Sequence, residues 1–101
     1  MADEGATGRK VKLEIQLDEE MAQGLYCNLA MVNHTDAEFC LDFIFVQPHQ
    51  PKAKVRARIL TSPVHAKRIA AAMSENVRRF EKKHGVINLP ATDPGERGAM
   101  H

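Results

Sequence analysis

Between Leu25 and Leu60, apolar side chains fall on both faces of what reads as a β-sheet, and a single long helix follows to cover them. Upstream, residues 11–17 (VKLEIQL) alternate strictly. Val11, Leu13, Ile15 and Leu17 share one face, and Lys12, Glu14 and Gln16 the other, which predicts a half-buried strand. Asp18 reads as the cap of a short helix from Glu19 to Gln23, with Gly24 as its stop. Residues 25–33 (LYCNLAMVN) predict a second strand, 34–36 a turn, and 37–47 (AEFCLDFIFVQ) a third and most apolar strand. The segment Pro48-His49-Gln50-Pro51 ends it, because proline cannot donate to a central ladder. Residues 53–60 (AKVRARIL) predict a fourth strand.

Ser62 and Pro63 then form a helix start, with serine as cap and proline at the first helical position. The spacing predicts a helix from Pro63 to His84 with Ala66, Ile69, Ala70, Met73, Val77 and Phe80 on one stripe. Lys82, Lys83 and His84 suit its C-terminal dipole and Gly85 closes it. The expected fold is α+β: a four-stranded antiparallel β-meander followed by one long C-terminal α-helix. The expected domain spans residues 11–87, between a disordered arm (1–10) and a flexible tail (88–101).

Antiparallel pairing can be carried through this pattern. With Val32 opposite Phe39, and Phe45, Phe43 and Leu41 opposite Val55, Ala57 and Ile59, one face collects Tyr26, Asn28, Ala30, Val32, Phe39, Leu41, Phe43 and Phe45. The helix should cover that face. The opposite face carries Leu25, Cys27, Leu29, Met31, Cys40, Ile44, Val46 and Leu60, together with Asp42 and Arg58, which fall close enough for a cross-strand ion pair. An apolar patch of this kind points first to an interface; the alternatives are that the first strand and N-terminal arm fold over it, or that it forms a peptide-binding groove. The expectation is a homodimer or higher oligomer built on Leu25, Cys27, Leu29, Met31, Ile44 and Val46. Width argues the same way. One helix is ~10–12 Å across, whereas four strands at ~4.8 Å span nearly twice that.

Net charge is +1, but it is unevenly placed. Residues 1–50 hold nine acidic and three basic residues, a net of −6, and residues 51–101 hold four acidic and eleven basic, a net of +7. The halves can pair with each other, within or between subunits. Nucleic-acid binders usually show a basic excess over the whole domain, which makes that reading secondary. Lys52, Lys54, Arg56 and Arg58 alternate along the predicted fourth strand and so should point one way, a candidate polyanion stripe. No aromatic residues interleave with it for base stacking, and Glu38 and Asp42 lie near, which favours an ion-paired surface.

No catalytic constellation is visible, and no cofactor or metal is expected. His34, His49, His65, His84 and His101 have no ligand spacing, and there is no phosphate-cradling glycine loop. Cys27 and Cys40 sit in apolar strands and, in the register above, face Ile44 and Met31, too far apart for a disulfide. They read as small core residues in a reducing compartment. With no apolar run near ~20 residues and no apolar signal core at the start, the expectation is a soluble, cytoplasmic protein that does not enter membranes.

The strings YCNLAMVNHTDAEFCLDFIFVQP (Tyr26–Pro48) and KAKVRARILTSPVHAKRIAAAMSENVRRFEKKHG (Lys52–Gly85) resemble a small prokaryotic family, domain of unknown function 3467. The most specific parts are Asn28, Glu38-Phe39 with Leu41-Asp42-Phe43, and Ser62-Pro63 with His65-Ala66-Lys67 leading to Asn76 and Glu81. The resemblance implies no activity and gives no residue a role. In architecture alone, a meander followed by a long helix is similar to the export chaperone SecB, which implies a sheet protein holding unfolded chains. Asn28, an amide among apolar neighbours, needs partners; the helix start near Ser62–His65 is the expected one. Taken together, these features lead to a non-enzymatic oligomeric scaffold or protein-binding domain. The alternatives are a nucleic-acid binder using Lys52–Arg58 and a SecB-like chaperone.

Overall fold

The computed structural model describes residues 12–90. The arm at 1–10, Val11 and most of the tail at 88–101 lie outside the described residues. The elements run α1 (Glu19–Gln23), β1 (Leu29–His34), β2 (Phe39–Val46), β3 (Ala53–Thr61) and α2 (Pro63–His84). The architecture is α+β, an antiparallel sheet of order β1-β2-β3 followed by the long helix. Three strands are present among the described residues, not four. Residues 12–18 belong to no helix or strand, and Leu13, Ile15 and Leu17 are 79%, 86% and 68% exposed.

Local chemistry accounts for the element ends. Asp18 has the extended backbone of a cap position before α1 and its carbonyl accepts from the Ala22 N–H at 2.8 Å, but its side chain makes no cap bond; Glu19 and Glu20 place negative charge in the first turn. Gly24 takes φ 75°, a left-handed value that favours glycine. The β1–β2 turn is held by Thr35, whose Oγ1 accepts from the N–H groups of Ala37 and Glu38 at 3.2 Å each. His34 stacks on Phe39 across it, with ring centres 5.2 Å apart. Ser62 caps α2: its Oγ accepts from the His65 N–H at 3.2 Å and lies 2.8 Å from His65 Nδ1. At the far end Gly85, at φ 99°, donates its N–H to the Glu81 carbonyl at 2.8 Å.

β1 begins at Leu29, four residues later than its apolar pattern suggests, and Asn28 is the reason. Its backbone N–H still donates to the Ile44 carbonyl at 3.0 Å. Its side chain then takes the next place in the ladder: Nδ2 donates to the Val46 carbonyl at 3.1 Å and Oδ1 accepts from the Val46 N–H at 2.8 Å. The amide thus imitates a backbone peptide. It locks strand to strand, and the expected bond to the helix start is not made.

Register departs from the expected one in two ways. Between β1 and β2 it slides by two residues, pairing Val32 with Leu41 and His34 with Phe39, which leaves every side chain on its expected face. Between β2 and β3 it follows expectation from Leu41↔Ile59 to Phe43↔Ala57 and then jumps, with Ile44 opposite Val55 and Phe45 opposite Lys54. Arg56 is the extra residue of a bulge. A one-residue shift moves every later side chain to the other face. Val55 and Ala53 therefore join Ile44 and Val46, and Lys54 joins Phe45.

Helix and sheet meet incompletely. Close packing is concentrated in the two strand pairs. Among the described residues the buried side chains are Ile44 and Asp42, each 5% exposed, and none belongs to a helix. Only Ser62 separates β3 from α2, and Pro63 sets a fixed φ at that joint, so the helix start has little slack to settle onto the sheet.

Candidate functional site

The first half of α2 runs along the aromatic-rich face of the sheet, as expected, but leaves an open groove of about 600 Å³. Val32, Phe39, Leu41 and Phe43 form one wall, and Pro63, Ala66, Ile69, Ala70 and Met73 form the other, with Lys67 at the rim. Apart from that lysine every lining side chain is apolar. Beyond Met73 the helix stripe continues through Val77 and Phe80, 38% and 50% exposed, past the residues that line the groove. Arg78 and Arg79 both bond Glu75 in this half of the helix, at 2.8–3.1 Å. The arginines hold the Glu75 carboxyl below its ordinary range.

The opposite face is differently organised. Arg58 donates from Nε to Asp42 Oδ1 at 2.7 Å and from Nη2 to Oδ2 at 2.9 Å, a two-pronged bridge across β2 and β3. Cys40 Sγ adds a weak donor to Asp42 Oδ1 at 3.8 Å. The bonds from Arg58 lower the Asp42 carboxyl against the opposing effect of desolvation, and Asp42 raises the guanidinium in turn. The expected cross-strand pair is therefore formed. Around it, the residues proposed for an oligomer interface are mostly withdrawn from water. Ile44 is buried, Cys27, Leu29, Met31 and Val46 are half-buried, and only Leu25 of that set stands out, at 58% exposed.

The four residues of the basic stripe part company at the bulge. Arg58, opposite Asp42, and Lys54, opposite Phe45, lie on opposite faces of the sheet. Lys52, Lys54 and Arg56 instead line a smaller cavity of about 360 Å³ at the open end of the β2–β3 hairpin, together with Phe45, Gln47 and Ala53. Tyr26 meets Phe45 edge-to-face, with ring centres 6.4 Å apart and planes at 70°. Alternation alone could not reveal this grouping, because it depends on a bulge with no marker glycine in the sequence.

Both cysteines are free thiols; Cys40 pairs with Asn33 rather than Met31. Among the described residues no three His, Cys, Asp or Glu side chains gather in a way that could hold a metal ion. Within the same residues no helix is long and apolar enough to cross a membrane.

The aromatic face, the Asn28 lock, the Asp42 bridge and the Ser62–Pro63 helix start coincide with the residues that carry the family resemblance. The family described as Protein of unknown function (DUF3467) matches residues 1–89. The chain belongs to this family. No curated protein and no solved structure matches it. Family membership assigns no role to the groove or the basic cavity, and their chemistry has to be argued from their own residues.

Proposed function

We propose that this DUF3467 member is a non-enzymatic, self-associating protein-binding domain whose working surface is the groove between α2 and the aromatic face. The observation that carries the reading is the helix stripe. Ile69, Met73, Val77 and Phe80 are 42%, 64%, 38% and 50% exposed, although they recur at the spacing of a buried face. Width is no longer the reason for a partner, since three strands at ~4.8 Å span only about one helix. The reason is the unfilled gap and the stripe running past it. A second copy offers the same apolar stripe, and a two-fold arrangement would let each helix meet its equivalent. The apolar side of residues 12–17 is more exposed still, and in the assembly that segment adds the fourth strand to an open sheet edge. The half-buried free thiols suit the reducing cytoplasm.

Light scattering behind a sizing column tests the proposal. The expected mass is a clean multiple of 11.3 kDa that persists at high salt. Ile69→Asp with Met73→Asp should return the monomer, while Met31→Asp on the other face should leave the assembly intact. A monomeric wild-type protein would overturn the reading. Dissociation by Met31→Asp alone would move the interface to the Asp42 face.

A further inference from the structure

We infer that the cavity at the end of the β2–β3 hairpin is a binding site for single-stranded nucleic acid, with Tyr26 and Phe45 as the base platform and Lys52, Lys54 and Arg56 as the phosphate contacts. The bulge is what makes this site. Opposite Phe43 the pairing is regular; one step later Arg56 is looped out and Lys54 arrives opposite Phe45. Three cations are thereby gathered around an aromatic ring in one cavity of about 360 Å³, and no carboxylate is among its lining residues. The last residue of the basic stripe is kept out of the set, since Arg58 is engaged on the other face by both oxygens of Asp42.

The platform is accessible. Tyr26 is 73% exposed and sets its ring edge-to-face against Phe45, the aromatic ring that lines the cavity with the cations. Cations alone would suit any polyanion. Two aromatic rings beside them select a ligand that carries flat, stackable groups along a charged backbone, which describes a single strand with unstacked bases. An acidic peptide would satisfy the charges and leave the rings without a function. None of the residues lining this cavity lines the apolar groove, so the two surfaces can be altered separately.

Fluorescence anisotropy with the full chain tests it, using labelled oligo-dT and oligo-U of about 12 nucleotides and an oligo-glutamate peptide of similar length. Three phosphate contacts on a single strand predict a log–log salt slope of about −2, a loss of roughly twenty-fold in affinity from 50 to 200 mM salt. Lys54→Ala with Arg56→Ala should weaken binding and flatten that slope to about −0.7. Tyr26→Ala should weaken binding about five-fold or more and leave the slope unchanged. Lys82→Ala with Lys83→Ala, at the far end of α2, should do neither. Tighter binding of oligo-U than oligo-dT, or the reverse, would support the site and assign it to RNA or DNA. The inference is overturned if neither oligonucleotide binds, if the peptide binds as tightly as the oligonucleotides, or if the Tyr26 variant binds like wild type. A Lys82/Lys83 effect as large as the Lys54/Arg56 effect would overturn it as well. Each readout can be repeated on the Ile69→Asp, Met73→Asp protein, which separates the failure of this site from the failure of the groove.

Discussion

The two faces of one three-stranded sheet reach opposite outcomes. On the face of Asp42 and Ile44, each central side chain finds what it needs from its strand neighbours: a carboxylate meets a guanidinium at two points, and an isoleucine is almost wholly removed from water. The other face is richer in aromatic side chains, has a 22-residue helix beside it, and still keeps an open apolar groove. The difference shows that apolar content does not decide where side chains become buried. Cross-strand partners bury the centre of one face at short range and leave Val55 and Leu60 at its β3 edge 47% and 56% exposed, whereas the other face depends on how a helix seats after a one-residue joint.

The strongest way to break this comparison acts on the open side. Val77→Asp with Phe80→Asp alters the part of the stripe that lies beyond the groove, so each chain should keep its helical circular dichroism while the assembly falls to the 11.3 kDa monomer. An unchanged mass would remove the C-terminal half of the stripe from the interface.

Next comes the Asp42 bridge. Asp42→Asn should lower the melting temperature, because Arg58 loses its charged partner. It should also flatten the acid limb of the stability curve. The folded Asp42 carboxyl titrates below its ordinary value. Its contribution is therefore complete above about pH 4, where the unfolded carboxyl is ionised, and is lost as pH falls through the lower folded value. Thermal melts of both proteins from neutral to acid pH measure this. Parallel curves would mean that the bridge contributes nothing to acid sensitivity.

A smaller effect is expected at the lock between β1 and β2. Asn28→Ala removes two hydrogen bonds to the Val46 backbone and should cost about 1–2 kcal/mol in urea unfolding, with hydrogen exchange at Val46 speeding up first. The smallest effect is expected at the joint: Ser62→Ala removes the α2 cap at about 1 kcal/mol. Because this cap fixes the start of the helix that walls the groove, the variant should also weaken self-association slightly, and sedimentation at graded concentrations would detect it.

Much of this fold was legible from sequence because it rests on local rules. The 3.6-residue stripe and the Ser62–Pro63 start place α2 within the residues its sequence marks, and Gly24 and Gly85 stand where positive φ is needed. Pairing Asp42 with Arg58 needs only correct alternation on the near side of the bulge. The site was less legible. Asn28 read as an amide in need of a partner, but its partner is a backbone group 18 residues away. The basic stripe read as one surface, since each alternate residue from Lys52 to Arg58 is a cation.

By itself, then, the sequence determined the order of the elements from α1 to α2, the Ser62 cap and the glycine stops, and which side chains share a face within each unbroken stretch of strand. Those are consequences of periodicity and of single-residue backbone preferences, which act over a few residues. Tertiary structure alone decided that β3 would bulge at Arg56, sending Lys54 to Phe45 and leaving Arg58 with Asp42. It alone decided that α2 would stand off the sheet. Both outcomes depend on how whole elements align and pack, and that balance is set by contacts between residues far apart in the chain.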